Sequence, residues 1–119
     1  TGQKVICYGN LPGLSYLLDM PPALSTGWPD LASYRMAEYQ RDMEALEAAH
    51  KAGTKLPVVI VSTPVAAYLS DDGEAIVWFG VDMEACAADE KLQILGAFLG
   101  EHGYKECFGN AGYVVYCAE

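Results

Sequence analysis

Apolar positions along the chain switch between short β-branched runs and stripes at helical spacing, the pattern of helices stacked on a sheet. Residues Lys4 to Tyr8 form an apolar run closed by Gly9-Asn10, which predicts a first strand. Residues 11–29 break the pattern: Pro12, Pro21, Pro22 and Pro29, with Gly13 and Gly27, predict a long proline-rich loop in which only Leu14 to Asp19 could make a helical turn. Met36, Tyr39, Met43, Leu46 and His50 then recur on one stripe, with Arg35, Glu38, Arg41, Asp42, Glu44 and Glu47 on other faces. With Pro29 in the first turn and Gly53 as the cap, the spacing predicts a helix over 30–52.

Pro57 to Val61 is β-branched, and Pro64 precedes a second apolar run, Val65 to Leu69, so the pattern predicts one bent strand at a sheet edge. Ser70-Asp71-Asp72-Gly73 reads as a turn, returning Ala75 to Val81 as an antiparallel, more buried strand. Ala88, Leu92, Leu95 and Leu99 predict a second helix over 87–102, with Gly103 as its cap and with Gly96 and Gly100 packed close on the sheet. Tyr104 to Phe108 and Tyr113 to Cys117 close a last hairpin. The order is βαββαβ with an extra C-terminal strand. This is the ferredoxin-like two-layer α+β sandwich, a single domain over residues 1–119 with both helices on one face of an antiparallel sheet. An open second face predicts association with a second copy or a partner.

Composition narrows the partners. A hydrophobic fraction of 52% excludes disorder, and no apolar run reaches the ~20 residues of a membrane helix. Sixteen acids against seven lysines and arginines leave a net charge of −9, which excludes direct nucleic-acid binding and favours a basic partner. The four cysteines, Cys7, Cys86, Cys107 and Cys117, show no zinc spacing, and each lies in an apolar stretch. They read as four free thiols of a cytoplasmic protein, with no metal site and no cofactor.

Asn10-Leu11-Pro12-Gly13-Leu14, directly after a strand, resembles the ligand-binding turn of ACT regulatory domains, which are ferredoxin-like and bind small molecules there. The resemblance covers five residues and departs where Pro21 and Pro22 stop the helix that should follow. It implies a pocket near Asn10 to Leu14, with Asn10 and Gly13 as ligand contacts, in a dimeric sensor or enzyme. For nucleophilic catalysis only His50 and His102 could serve as a base, and both sit where a helix C-terminus favours a histidine.

The favoured expectation is a small non-catalytic protein that binds and masks a larger protein, or a protein–nucleic acid complex, with a basic surface. Inhibitors, immunity proteins, phage anti-defence proteins of the anti-CRISPR type and nucleic-acid mimics share this physics. The candidate contacts are the acids Asp42, Glu44, Asp71, Asp72 and Glu74 and the aromatics Trp28, Tyr16 and Tyr34 in or beside the proline-rich loop.

Overall fold

The structure, a computed structural model, describes residues 4–9, 20–24, 29 and 33–118. Strand β1 (Val5–Tyr8) leads to helix α1 (Met36–Lys51) and strand β2 (Val58–Ser62). Four helices follow: α2 (Thr63–Ser70), α3 (Gly73–Trp78), α4 (Met83–Ala88) and α5 (Glu90–Glu101). A hairpin of β3 (Lys105–Gly109) and β4 (Tyr113–Cys117) completes the described elements.

The fold is α+β, with an open, mixed four-stranded sheet in the order β1-β2-β4-β3. Strands β1 and β2 run parallel with Val5 opposite Val58, whereas β4 runs antiparallel to both β2 and β3. A parallel pair needs a crossover, which α1 supplies. Alternation then sorts the side chains. Ile6, Tyr8, Val59, Val61 and Val114 face one core, where they meet Tyr39 and Met43 of α1, Ala66 of α2, and Leu92, Leu95, Phe98 and Leu99 of α5. Val5, Cys7 and Ile60 point to the opposite face, with Met20, Val58, Tyr113 and Val115 packed against them.

Buried polar groups on the helix side are paired. The Tyr39 hydroxyl donates to the Lys91 carbonyl at 2.9 Å, and burial pushes its pKa well above the ordinary tyrosine range, with Tyr34 and Asp89 adding to the shift. The Tyr8 hydroxyl donates to Asp89 at 2.7 Å, and the other oxygen of Asp89 accepts from the Leu92 amide, capping α5. One carboxylate thereby ties the end of β1 to the start of α5. Gly9 follows at φ 98°, where a Cβ would lie 2.4 Å from Ser62 Oγ, so only glycine fits.

The strand order differs from the βαββαβ arrangement expected, for local reasons. Val65 to Leu69 is helix α2, because Pro64 lies in its first turn, where a missing amide costs nothing. Ala75 to Val81 is not a strand: Asp72 accepts from the Glu74 and Ala75 amides and starts α3 there. The expected 87–102 helix is split at Asp89, and the 30–52 helix begins at Met36, after Arg35. Gly96 packs against Leu69 of α2 rather than against the sheet, and a Cβ on Gly100 would meet nothing. The second sheet face is not bare at β1 and β2, since Val5, Cys7 and Ile60 are all buried. Residues 21–23 also cover the β1 edge, through Val5 N–H to Pro21 O and Ala23 N–H to Val5 O.

The cysteines also depart from expectation. Cys107 and Cys117 form a disulfide across the β3–β4 pair, and Cys7 and Cys86 take no part in it. Cys107 is the extra residue of a bulge between Glu106 and Phe108, so the alternation that should have aimed it at the core is broken. No helix among the described residues is long and apolar enough to cross a membrane.

Candidate functional site

The segment after α2 is built by two aspartate caps. Asp71 ends α2 in the left-handed conformation at φ 54°, a backbone region that aspartate tolerates better than most residues. Asp72 caps α3 through Glu74 N–H at 3.1 Å and Ala75 N–H at 3.2 Å, and Asp82 caps α4 through Ala85 N–H at 3.0 Å. Glu74 and Glu84 stand in the first turns of these helices, matched to their dipoles. Neither helix buries a residue. Val77 is 81% exposed and Trp78 82%, and Phe79 and Met83 are also solvent-facing. Val77, Trp78 and Phe79 thus form an apolar patch with Asp72 and Glu74 beside it.

The structure places the expected contacts unevenly. Asp71, Asp72 and Glu74 come together at the start of α3, all exposed. Asp42 and Glu44 lie apart from them on α1, where Asp42 accepts the Tyr34 hydroxyl and Glu44 lines a groove between α1 and α5. Tyr34 is itself a core residue: it packs edge-on against Tyr39 at 6.1 Å, and the Lys91 ammonium sits 5.1 Å from its ring. It therefore offers no contact surface. Trp28, Tyr16, Asn10 and Gly13 lie outside the described residues. Trp78 was missed because its run, AIVWFGV, reads equally well as a strand.

A cleft of about 570 Å³ opens between α2 and α5, lined among others by Tyr68, Gln93, Gly96, Gly100, Tyr104 and Tyr116. Its polar groups are partly spent, since the Gln93 amide donates to the Tyr68 hydroxyl and to the Cys86 carbonyl. The Tyr104 hydroxyl donates to Pro57 O at 2.6 Å, and burial, with Glu47, raises its pKa. Burial likewise raises Tyr116, with Glu106 contributing.

Nucleophilic chemistry finds little support in this arrangement. Burial pushes the Cys86 thiol above its ordinary value, and Asp82 and Asp89 push it further, the opposite of what an activated thiolate needs. Cys107 cannot pair with His102 as a dyad, because it is held in the disulfide. Among the described residues, Glu47, Glu101 and His102 form a group with metal-ligand character, their ligand atoms all within 4.8 Å of one another.

No family model, no curated protein and no solved structure matches this chain.

Proposed function

We propose that the protein is a non-catalytic binding module that docks on a larger protein with a basic surface and masks it. The observation that carries this reading is Trp78, 82% exposed beside Val77 at 81%, on a helix that buries nothing. A large indole held in water is unfavourable unless something covers it, and tryptophan is among the side chains that most often anchor interfaces. The surrounding acids set the partner's chemistry: an apolar pocket for the indole with lysines or arginines around it. The net charge of −9 would speed encounter with such a surface at low salt. An alternative reading, a small-molecule sensor, draws on the cleft between α2 and α5, whose volume of about 570 Å³ suits a ligand of drug size.

The test immobilises the chain and captures from lysate of its source cells with wild type, Trp78→Ala, and an Asp71→Asn/Glu74→Gln double variant that keeps the Asp72 cap. A basic protein should bind wild type, lose about 30-fold in affinity against Trp78→Ala, and show a flatter salt dependence with the double variant. Glu44→Gln, away from the patch, should change nothing. A partner held equally well by Trp78→Ala would refute the reading.

A further inference from the structure

Helices α1 and α5 end side by side, and there the chain gathers two glutamates and two histidines. Glu47 and His50 are one turn apart on α1 and so share a face. Glu101 closes α5, and His102 is its C-terminal cap. His102 Nε2 contacts Glu47 Oε1, bridging the two helices, and the ligand atoms of Glu47, Glu101 and His102 lie within 4.8 Å of one another. The His50 ring stands edge-on to that of His102, with centroids 5.3 Å apart.

Three features suit this place to a cation. Both helix C-termini direct partial negative charge toward it, adding to the two carboxylates. His50 Nδ1 lies 3.2 Å from the Thr54 carbonyl, which can only accept, a contact that leaves Nε2 as the nitrogen available to a metal. Fixing a ligand ring through its other nitrogen is how histidines are oriented toward metals. Phe98 packs on the His102 ring at 4.8 Å, giving the site one apolar wall.

We propose that Glu47, Glu101 and His102 bind a first-row divalent transition cation, and that His50, whose ring stands beside that of His102, supplies the fourth ligand. Mixed imidazole and carboxylate donors suit zinc, whereas calcium and magnesium take oxygen. Tetrahedral zinc, with bonds of about 2.0–2.1 Å, holds its donors roughly 3.4 Å apart. Side-chain movements on the order of an ångström therefore close Glu47, Glu101 and His102 around an ion. The ion would replace the His102–Glu47 contact with two coordination bonds and link α1 to α5 more firmly. The site uses none of the residues of the apolar patch and stands independently of the docking reading.

The test titrates the full chain, stripped of metal by chelation with the disulfide intact, using Co²⁺ followed by visible absorption and Zn²⁺ followed by calorimetry. One ion per chain is expected, with d–d absorption and no thiolate charge-transfer band. Glu101→Gln, His102→Gln and His50→Gln should each weaken zinc binding by about tenfold or more. Zinc should raise the Tm of wild type and not that of Glu101→Gln. Glu101 is exposed and takes no part in the His102–Glu47 contact, so its variant tests the site even if His102→Gln fails to fold. The proposal is overturned if wild type binds no ion at about 1 mM, or if folded Glu101→Gln binds as wild type does. A thiolate band that disappears in Cys86→Ser would also overturn it.

Discussion

Helices α5 and α3 are both rich in apolar residues and use them in opposite ways. Helix α5 buries Leu92, Leu95, Phe98 and Leu99 against the sheet, whereas α3 buries nothing and turns Val77 and Trp78 to solvent. The difference lies in what each helix is attached to. Helix α5 begins on Asp89, which Tyr8 holds from the end of β1, so its stripe is aimed at the core. Helix α3 begins on Asp72, next to the end of α2, and only Ala75 and Ile76 in it are half-buried. Apolar content alone does not say which residues form the core; the anchor at the helix start decides it. A region that buries nothing contributes little to global stability and is free to serve a partner.

The largest effect should come from breaking the buried side of this comparison. Leu95 is fully buried, and Leu95→Ala should cost about 3 kcal/mol through lost transfer energy and the cavity left behind. Urea unfolding followed by circular dichroism measures it. The same truncation of Val77 should leave the midpoint within about 0.5 kcal/mol of wild type. A comparable loss at the two sites would show that α3 is packed after all.

Strand β3 is a second element that buries little, since every residue from Lys105 to Gly109 is exposed. It is held by hydrogen bonds to β4 and by the Cys107–Cys117 bridge, which closes a loop with a sequence separation of 10. Chain-entropy reasoning makes that bridge worth about 3 kcal/mol, so reduction should lower stability by that amount with little change in far-ultraviolet dichroism. Thiol titration of the unfolded, unreduced protein should find two free thiols, rising to four on reduction. Four before reduction would remove the staple and leave β3 held by its ladder alone.

Much of the buried scaffold was legible in the residues. The stripe Met36, Tyr39, Met43, Leu46 marks α1, the β-branched run through Val61 marks β2, and Gly109 to Gly112 marks the turn of the last hairpin. Helix α1 and β2 are legible because periodicity and burial agree, although β2 lies between β1 and β4 rather than at the edge expected; the hairpin is legible from its turn glycines, since β3 is exposed. Residues 63–81 were misread because short apolar runs fit a buried strand as well as a helix, and period alone cannot separate them. The deciding signals were punctuation. Thr63-Pro64 opens a helix, and Asp72 followed by Glu74 is a cap, yet Asp-Asp-Gly also reads as a hairpin turn. The proposed docking patch is half legible: charge picks out Asp72 and Glu74, whereas the run around Trp78 reads as a strand. The Glu47, Glu101 and His102 cluster was not legible, because only the packing of α1 beside α5 brings it together.

The smallest expected stability effect is the one that most sharpens the contrast between α5 and α3. Trp78 is the one tryptophan among the described residues, and on area alone the loss of a buried indole would cost several kcal/mol. At 82% exposure, however, the indole has almost no contacts to lose on truncation. Alanine also has the higher helix propensity, by a few tenths of a kcal/mol. The two small terms nearly cancel, so stability should stay within about 0.5 kcal/mol of wild type, while partner affinity falls about 30-fold. Unfolding and binding measured on the same preparation decide the matter. A loss of 2 kcal/mol or more in stability would mean that Trp78 packs against the chain in solution, and the patch would then belong to the core rather than to a partner.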